Sequence, residues 1–449
     1  MIDQIDFKRK LTSKIRKHKQ LIILFGLLIA GFLLRIYFAD KFIKESGDLR
    51  LYADWGEKFW EYGSKEFYFF EKWYYSPPNY PPLLSLIYAG SYWLYDHKYV
   101  LAQIHNATKL VPAFFIVYFY DHGYYLLLKL PGILADLGLA YLIYKVVFQL
   151  TNNTKRALAA FSFYLFNPIS IFLSGAWGQT DSLVAFFGML SFLVLFTGNA
   201  WLSIPLLFIS FYIKPNFGVF IPLYILLFIV KRPKIAQVAF GLFFAFIVFY
   251  LTTEPFAKEG LASFISWLAK ERLLPTATVT HKASVSAFNF HTIFFTIDKT
   301  SDKAGVLGIP ANIFGLIIYF LTNILSFIYL KRKKYSLESI MVALFAIGFS
   351  SFLFWTNMLE RYFFSSYVPL IVVAFADLRM FKYMILISLT TFLNLIYSFF
   401  RRTVGVIADL LTKDNFLMIR TLSVVNLISW YFVLKQIYVV KFKGGANNS

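Results

Sequence analysis

The sequence predicts an all-α integral membrane protein: a bundle of about twelve transmembrane helices with a long, helical first extracytoplasmic loop. Three observations predict it. Apolar residues make up 59% of the 449-residue chain and aromatic residues 21%, with 54 Phe and 30 Tyr; a soluble core does not need so many, whereas a lipid-solvated surface takes them readily. The apolar residues gather into runs close to the roughly 20 residues that a bilayer core requires. The net charge of +20 comes in short basic runs between the apolar ones, a pattern that orients membrane helices and leaves no basic face for nucleic acid. With no cysteine in the chain, disulfides, zinc-thiolate sites and thiol catalysis are excluded.

The elements follow in chain order. Residues 1–20 form a basic segment (Lys8, Arg9, Lys10, Lys14, Arg16, Lys17, Lys19) ahead of a first span at Leu21–Phe38; no small-residue cleavage site follows, so a removable signal peptide is not expected. Further spans are expected at Tyr124–Phe148, Ala157–Ser174, Leu183–Phe196, Ile235–Leu251, Val306–Leu330, Leu337–Phe354, Phe363–Phe375, Tyr383–Phe400 and Phe416–Leu434. Between Trp201 and Val230 the motif "KPNFG" at Lys214–Gly218 interrupts an apolar block. It predicts two short broken helices, of the kind found where backbone lines a cavity.

The basic runs at Lys155–Arg156, Lys231–Lys234, Lys331–Lys334, Arg379–Lys382 and Lys435–Lys443 all fall on one side of this span count, with both termini. By the positive-inside rule that side is the cytoplasm. The transmembrane domain is thus residues 21–434, with a cytoplasmic tail at 435–449. Its extracytoplasmic loops are 39–123 and 252–305, with short turns at Gly175–Ser182, Thr356–Tyr362 and Arg401–Asn415. The first loop is nearly neutral and too long for a passive connection. Its Tyr- and Trp-rich stretches Tyr80–Tyr95 and Leu110–Tyr120 suit helices lying in the membrane interface. In a cell this is a multi-pass protein of the cell membrane, or of the endoplasmic reticulum membrane in a eukaryote.

The unusual polar residues gather at the extracytoplasmic end. They lie in "SGDLRLYADWG" at Ser46–Gly56, "SGAWGQTDS" at Ser174–Ser182, "LAKERLLP" at Leu268–Pro275, "THKASVSAFNFHTIF" at Thr280–Phe294 and "WTNMLERYFF" at Trp355–Phe364. Charges near membrane depth are costly and mark functional sites. Asp48 and Asp181 with Arg272, Lys282 and Arg361 therefore converge on one surface. Such a mixture suits a phosphate-bearing lipid donor and a hydroxyl acceptor.

The stretch "GD…W…Y…NYPPL" from Gly47 to Leu83 resembles the first luminal loop of the GT-C superfamily of polyprenyl-phosphate-sugar glycosyltransferases, in particular the dolichyl-phosphate-glucose glucosyltransferases. "WGQTDS" and "SAFNFH" are similar to prokaryotic relatives of the mannosyltransferase that adds the second mannose to GPI anchors. "LERYFF" resembles the His-Glu-Lys or His-Glu-Arg segment of both groups. The resemblance covers most of residues 20–400 and implies a GT-C-type helical bundle with the first loop packed over the site. It also implies a polyprenyl-phosphate hexose donor, mannose or glucose, and a hydroxyl acceptor on a lipid-linked glycan, anchor or protein, with inversion at the anomeric carbon. In that family the catalytic base is the aspartate of a Gly-Asp pair after the first span, so the resemblance implies this role for Asp48; the chemistry fits, since a sugar hydroxyl attacks well only while a carboxylate takes its proton. Substrate contacts are implied for Tyr80, Trp177, Gln179, Asp181, Arg272, Lys282, His291, Glu360 and Arg361. Leu359 stands where the family has a histidine, which leaves Arg361 to bind the donor phosphate alone or with His281 or His291. No resident cofactor is expected; a monophosphate leaving group can be stabilised by Arg and Lys without a metal, although a divalent ion stays open.

Plainer readings stand beside these. Asp48 and Asp181 also suit helix caps, Trp177 an interfacial anchor and Arg361 a snorkelling cation. His291 also suits an ordinary satisfied polar residue. Lys129 and Asp136, two turns apart on one helix face, suit contacts inside the bundle. The patterns Asn106-Ala-Thr108 and Asn152-Asn153-Thr154 match glycosylation acceptors, the second on the cytoplasmic side of this topology. A secondary transporter or lipid flippase also uses broken helices, although matching halves are not visible here. A polysaccharide polymerase or ligase would differ in using a diphosphate-linked donor.

Overall fold

The structure is a computed structural model that describes residues 2–43, 46–275, 280–401 and 403–440. The end of the basic C-terminal run, at Lys441 and Lys443, lies outside the described residues. The described residues are overwhelmingly helical, and their only strands are the short hairpin of Gly305–Val306 with Ile309–Pro310. Among the described residues, eight helices are long and apolar enough to cross a membrane: Lys19–Lys41, Ala113–Thr151, Thr154–Trp177, Ile235–Phe256, Ala311–Arg332, Leu337–Phe354, Leu378–Phe400 and Gly405–Tyr438. Shorter apolar helices occupy Asp181–Phe196, Ala200–Ile213 and Pro215–Lys231, and Phe364–Ala376 adds another. Each expected span thus has its helix, and the protein is an all-α, multi-pass membrane protein.

The bundle is built around Leu337–Phe354 and Phe364–Ala376, which are buried on nearly every side. Helices apolar all round are the ones that can sit there. Lys19–Lys41 and Ile235–Phe256 lie at the periphery, with most of their surface facing outward. Two charged residues of the Ala113–Thr151 helix, Asp136 and Lys129, are engaged inside the bundle. The Asp136 carboxylate pairs with Arg35 Nε at 3.1 Å and accepts the Tyr164 hydroxyl at 2.6 Å and the Ser174 hydroxyl at 2.5 Å. A buried ion pair survives only with such extra hydrogen bonds. Lys129 donates to the carbonyls of Ala39 (2.9 Å), Phe42 (2.9 Å) and Ala176 (3.0 Å). It ties the end of the first span to the helical turn before Gly178. Both residues are bundle contacts.

The "KPNFG" break has a local cause. A residue before proline is pushed out of the helical region, and proline has no N–H to continue the helix. Lys214 is accordingly extended (φ −160°, ψ 129°), and Pro215–Phe220 makes a 3₁₀ turn before Ile221–Lys231 resumes.

Two elements differ from the sequence expectation. Leu110–Tyr120 is not a separate interfacial helix: all but its first residues open the 39-residue Ala113–Thr151 helix. No proline separates the two stretches, and Asp40 holds the join by accepting from the Tyr118 hydroxyl (2.8 Å) and contacting His122 Nδ1 (2.9 Å). The turn expected at Arg401–Asn415 contains helix from Gly405, which breaks at Lys413–Phe416, where three consecutive residues take positive φ, before the last span.

The first loop packs as a compact layer at one end of the bundle. Helix Gly47–Tyr62 lies on helix Pro82–Asp96, with Tyr52 stacked on Tyr88 at 4.5 Å. Gly56 allows this approach, because a Cβ there would stand 2.6 Å from the Tyr88 carbonyl oxygen. Trp55 Nε1 donates to the Ser76 carbonyl (2.8 Å), and the Tyr124 hydroxyl donates to the Ala53 carbonyl (2.6 Å). The helix that begins at Gly47 is therefore fixed relative to the bundle.

Candidate functional site

Asp48 lies in the first turn of helix Gly47–Tyr62, but it is not the cap. Ser46 fills that role, its Oγ accepting from the Leu49 N–H at 3.2 Å. The Asp48 carboxylate is thereby free to face the bundle. It accepts from Gln179 Nε2 at 2.6 Å and lies 3.8 Å from Arg361 Nη2. Its side chain keeps 38% of its surface exposed. The helix N-terminus adds a favourable field for a negative charge.

Gln179 is delivered by an unusual segment. The helix entering from Thr154 restarts at Pro168, widens into a π-helical turn at Ile171–Trp177 and stops at Gly178, whose φ of 77° suits glycine. Such π turns are frequent at functional sites. Three residues after Gly178, Asp181 opens the next helix. It is not a cap either, and Thr180, in the cap position, makes no side-chain capping bond. The buried Asp181 carboxylate accepts from Lys214 Nζ at 3.0 Å and Asn216 Nδ2 at 2.9 Å, and Arg361 Nε lies 4.0 Å away. The ammonium of Lys214 also stands over the rings of Tyr362 (5.7 Å) and Tyr80 (5.9 Å). Cations are attracted to aromatic faces at such distances.

Arg361 joins the two aspartates. It sits in the 3₁₀ turn Glu360–Phe363, between the two central helices. Nη1 donates to Glu360 Oε1 at 2.9 Å, and the guanidinium lies over the Trp177 ring at 5.6 Å. Glu360 is fully buried, and its second oxygen accepts from the Ser286 hydroxyl. Burial works against the Arg361 charge, but Glu360, Asp48 and Asp181 outweigh it and hold the guanidinium above its ordinary range. The Arg361 side chain is only 11% exposed, yet Nε has no hydrogen-bond partner. Gln179 Oε1, Ser182 Oγ and Asn216 Oδ1 are likewise buried and unpartnered. Buried polar groups are nearly always paired, so a concentration of orphans calls for an explanation such as a bound molecule.

Of the residues singled out in the sequence, Asp48, Trp177, Gln179, Asp181, Glu360 and Arg361 therefore meet in one cluster, with Tyr80 at its edge. The other three stand apart from its contacts. Lys282 is held by its backbone, whose N–H donates to Asn357 Oδ1 at 2.8 Å. Among the described residues its ammonium makes no ion pair. His291 is buried, with Nε2 2.7 Å from the Phe354 carbonyl; burial pushes its imidazole below the ordinary range. Arg272 donates to the Tyr68 carbonyl at 2.9 Å and stacks on Trp267 at 5.3 Å, joining the two long loops. Sequence reasoning missed Lys214, Asn216 and Ser286 as members. The signal for Lys214 was present, a lysine inside an apolar block beside a helix break. Among the described residues no three His, Asp or Glu side chains gather as they do around a metal ion.

Residues 86–267 match the family model described as GPI transamidase subunit PIG-U. The chain is similar to that family over this stretch, which contains Trp177, Gln179, Asp181, Lys214 and Asn216. Asp48 lies before it and Glu360–Arg361 after it. No curated protein matches the chain.

Proposed function

We propose that this chain is a membrane glycosyltransferase. It moves a hexose, mannose or glucose, from a polyprenyl-phosphate carrier to a hydroxyl acceptor. One observation carries the reading: a reachable carboxylate, Asp48, lies beside a nearly buried guanidinium that retains an unpaired donor. In the reaction the acceptor oxygen attacks the anomeric carbon from the face opposite the phosphate while Asp48 takes its proton. The bond from that carbon to the phosphate oxygen breaks, and its electron pair leaves with the phosphate. Arg361 meets that developing charge with a planar fork suited to phosphate oxygens. Removing such a base lowers turnover by about 10²–10⁴.

The family match favours a second reading, a GPI transamidase subunit. There the same cluster would hold a lipid-linked glycan without transferring sugar.

The test is a transfer assay with purified protein, labelled polyprenyl-phosphate mannose or glucose, and lipid or peptide acceptors. Transfer is expected from one donor, to continue in the presence of chelators, and to fall about 10²-fold or more in Asp48→Asn with donor binding retained. A folded protein that transfers from neither donor overturns the enzyme reading. Near wild-type transfer by Asp48→Asn removes Asp48 as the base.

A further inference from the structure

Helix Ala113–Thr151 turns one stripe, Lys129, Gly132 and Asp136, toward the segment that delivers Gln179. Asp136 accepts from Ser174 inside the π turn, and a Cβ at Gly132 would stand 2.9 Å from the Gln179 carbonyl oxygen. Lys129 is fully buried, and a lysine in an apolar helix is costly enough to mark a task. Its ammonium meets the ends of two helices at once. Nζ donates to the carbonyls of Ala39 and Phe42 at 2.9 Å each and of Ala176 at 3.0 Å. Ala39 and Phe42 close the first span, whose helix stops at Lys41, and Ala176 lies in the last turn of the π segment that stops at Gly178. The last carbonyls of a helix have no partner within it, and the negative end of its dipole favours a cation. An ammonium has three N–H donors, and three carbonyls take them. One side chain therefore caps two helices.

Each capped end leads into the candidate site. Asp48 comes six residues after Phe42, and Gln179 three residues after Ala176. The two meet where Gln179 Nε2 donates to Asp48 Oδ2 at 2.6 Å. Arg361 also approaches Oδ2, so Oδ1 is the oxygen left to take a proton. Gly178 completes the join, since a Cβ there would lie 3.0 Å from Lys129 Cγ and 3.1 Å from Leu49 Cδ1. The stem of Lys129 and the residue next to Asp48 thus close on the same glycine.

We propose that Lys129 is a positioning residue of the site: by capping both helices it sets the Asp48–Gln179 contact, and with it the aim of the Asp48 carboxylate. It acts through Gln179. The inference rests on the glycosyltransferase reading for the reaction that the contact serves, and on the hydrogen bonds alone for the double cap.

The test uses full-length protein in lipid nanodiscs and two variants. Lys129→Met keeps an aliphatic stem against Gly178 and removes all three donors. Gly132→Ala leaves the ammonium in place, favours the helix and pushes on the Gln179 carbonyl. In the transfer assay each should lower kcat about 10–10²-fold, as a displaced catalytic group does. KM for the donor should change by less than about twofold, since the loss falls on the transition state. On a Gln179→Ala background neither variant should cost a further factor, because the effect runs through Gln179. Additive losses would reduce Lys129 to general support and overturn the proposal. Hydrogen exchange gives a readout that needs no transfer: Lys129→Met should speed exchange in residues 39–42 and 171–179 together. Wild-type exchange in either stretch overturns the double cap. If Lys129→Met does not fold, Gly132→Ala decides, and an unchanged kcat there overturns the positioning role. Wild-type protein that transfers no sugar overturns the proposed reaction, and exchange then decides the double cap by itself.

Discussion

Lys214 neutralises a carboxylate that water scarcely reaches, and does so with one ammonium and two aromatic faces around it. Removing one partner of a buried pair leaves an uncompensated charge, at a cost of about 3–5 kcal/mol. Lys214→Met should therefore lower the thermal midpoint in detergent markedly, and adding Asp181→Asn should restore much of it. A single variant as stable as wild type would mean that the pair contributes nothing. His291 gives a second, pH-dependent prediction. Its folded-state pKa is depressed by burial, so as pH falls below about 6.5 the unfolded chain takes up a proton that the folded chain refuses. Stability from this group is complete above that pH and is lost below it. Midpoints measured from pH 7.5 to 5.5 should fall, and His291→Gln, which keeps a donor for the Phe354 carbonyl, should flatten the slope. At this scale the sequence revealed which charges share an end of the bundle, because Asp48, Asp181 and Arg361 interrupt apolar runs. It did not reveal their partners. Serine has no charge to betray Ser286, and a cation such as Lys282 or Arg272 reveals its loop without revealing its neighbour.

The second long loop reaches the cluster through elements at the far end of the chain. Asn394, on helix Phe381–Phe400, accepts from the Phe288 N–H at 2.8 Å and donates to the Ser286 carbonyl at 2.6 Å. Asn426, on the last span, donates to the Phe288 carbonyl at 2.9 Å and accepts from Thr390 at 2.5 Å. These amides grip the 286–288 backbone as a neighbouring strand would, and Ser286 then holds Glu360 against Arg361. On the proposed reaction Asn394 would be a positioning residue. Asn394→Leu should weaken donor binding about tenfold, the worth of one or two lost buried hydrogen bonds, with a smaller effect on turnover of bound donor. Asn323→Leu is the control, because Asn323 donates only to its own helix, at Tyr319. Equal effects in the two variants would reduce Asn394 to generic packing. The helices themselves were legible because their length and composition are dictated by a bilayer. The union of Leu110–Tyr120 with the span after it was not, since the polar Asp121-His122 pair reads as a boundary until Asp40 is seen to engage His122.

Over the whole molecule, segments from five parts of the chain meet at one end of the bundle: Asp48, Gln179–Asp181, Lys214–Asn216, Ser286 and Glu360–Arg361. The span count placed four of those stretches on the side opposite the basic runs, whereas it read Lys214–Asn216 only as part of a break between two short helices. The positive-inside rule then predicts a sidedness that can be measured. An accessibility label at Lys333 should react from the cytoplasm and one beside Asp48 from the opposite side; labelling of both from one side would refute the topology. The same convergence has a consequence for biosynthesis. Chains are made and inserted from the N-terminus, so a ribosome that has passed Asn216 has already supplied Asp48, Asp181 and Lys214, but not the Arg361 guanidinium. Arg361 and its supporting carboxylate arrive only with the turn between the two central helices. Until that late hairpin enters the bilayer, Asp48 and Trp177 lack their contacts with Arg361. On the proposed reaction, chains that stall before it would lack the phosphate-binding guanidinium, and the amides of Asn394 and Asn426, which grip the 286–288 segment behind Glu360, are made later still.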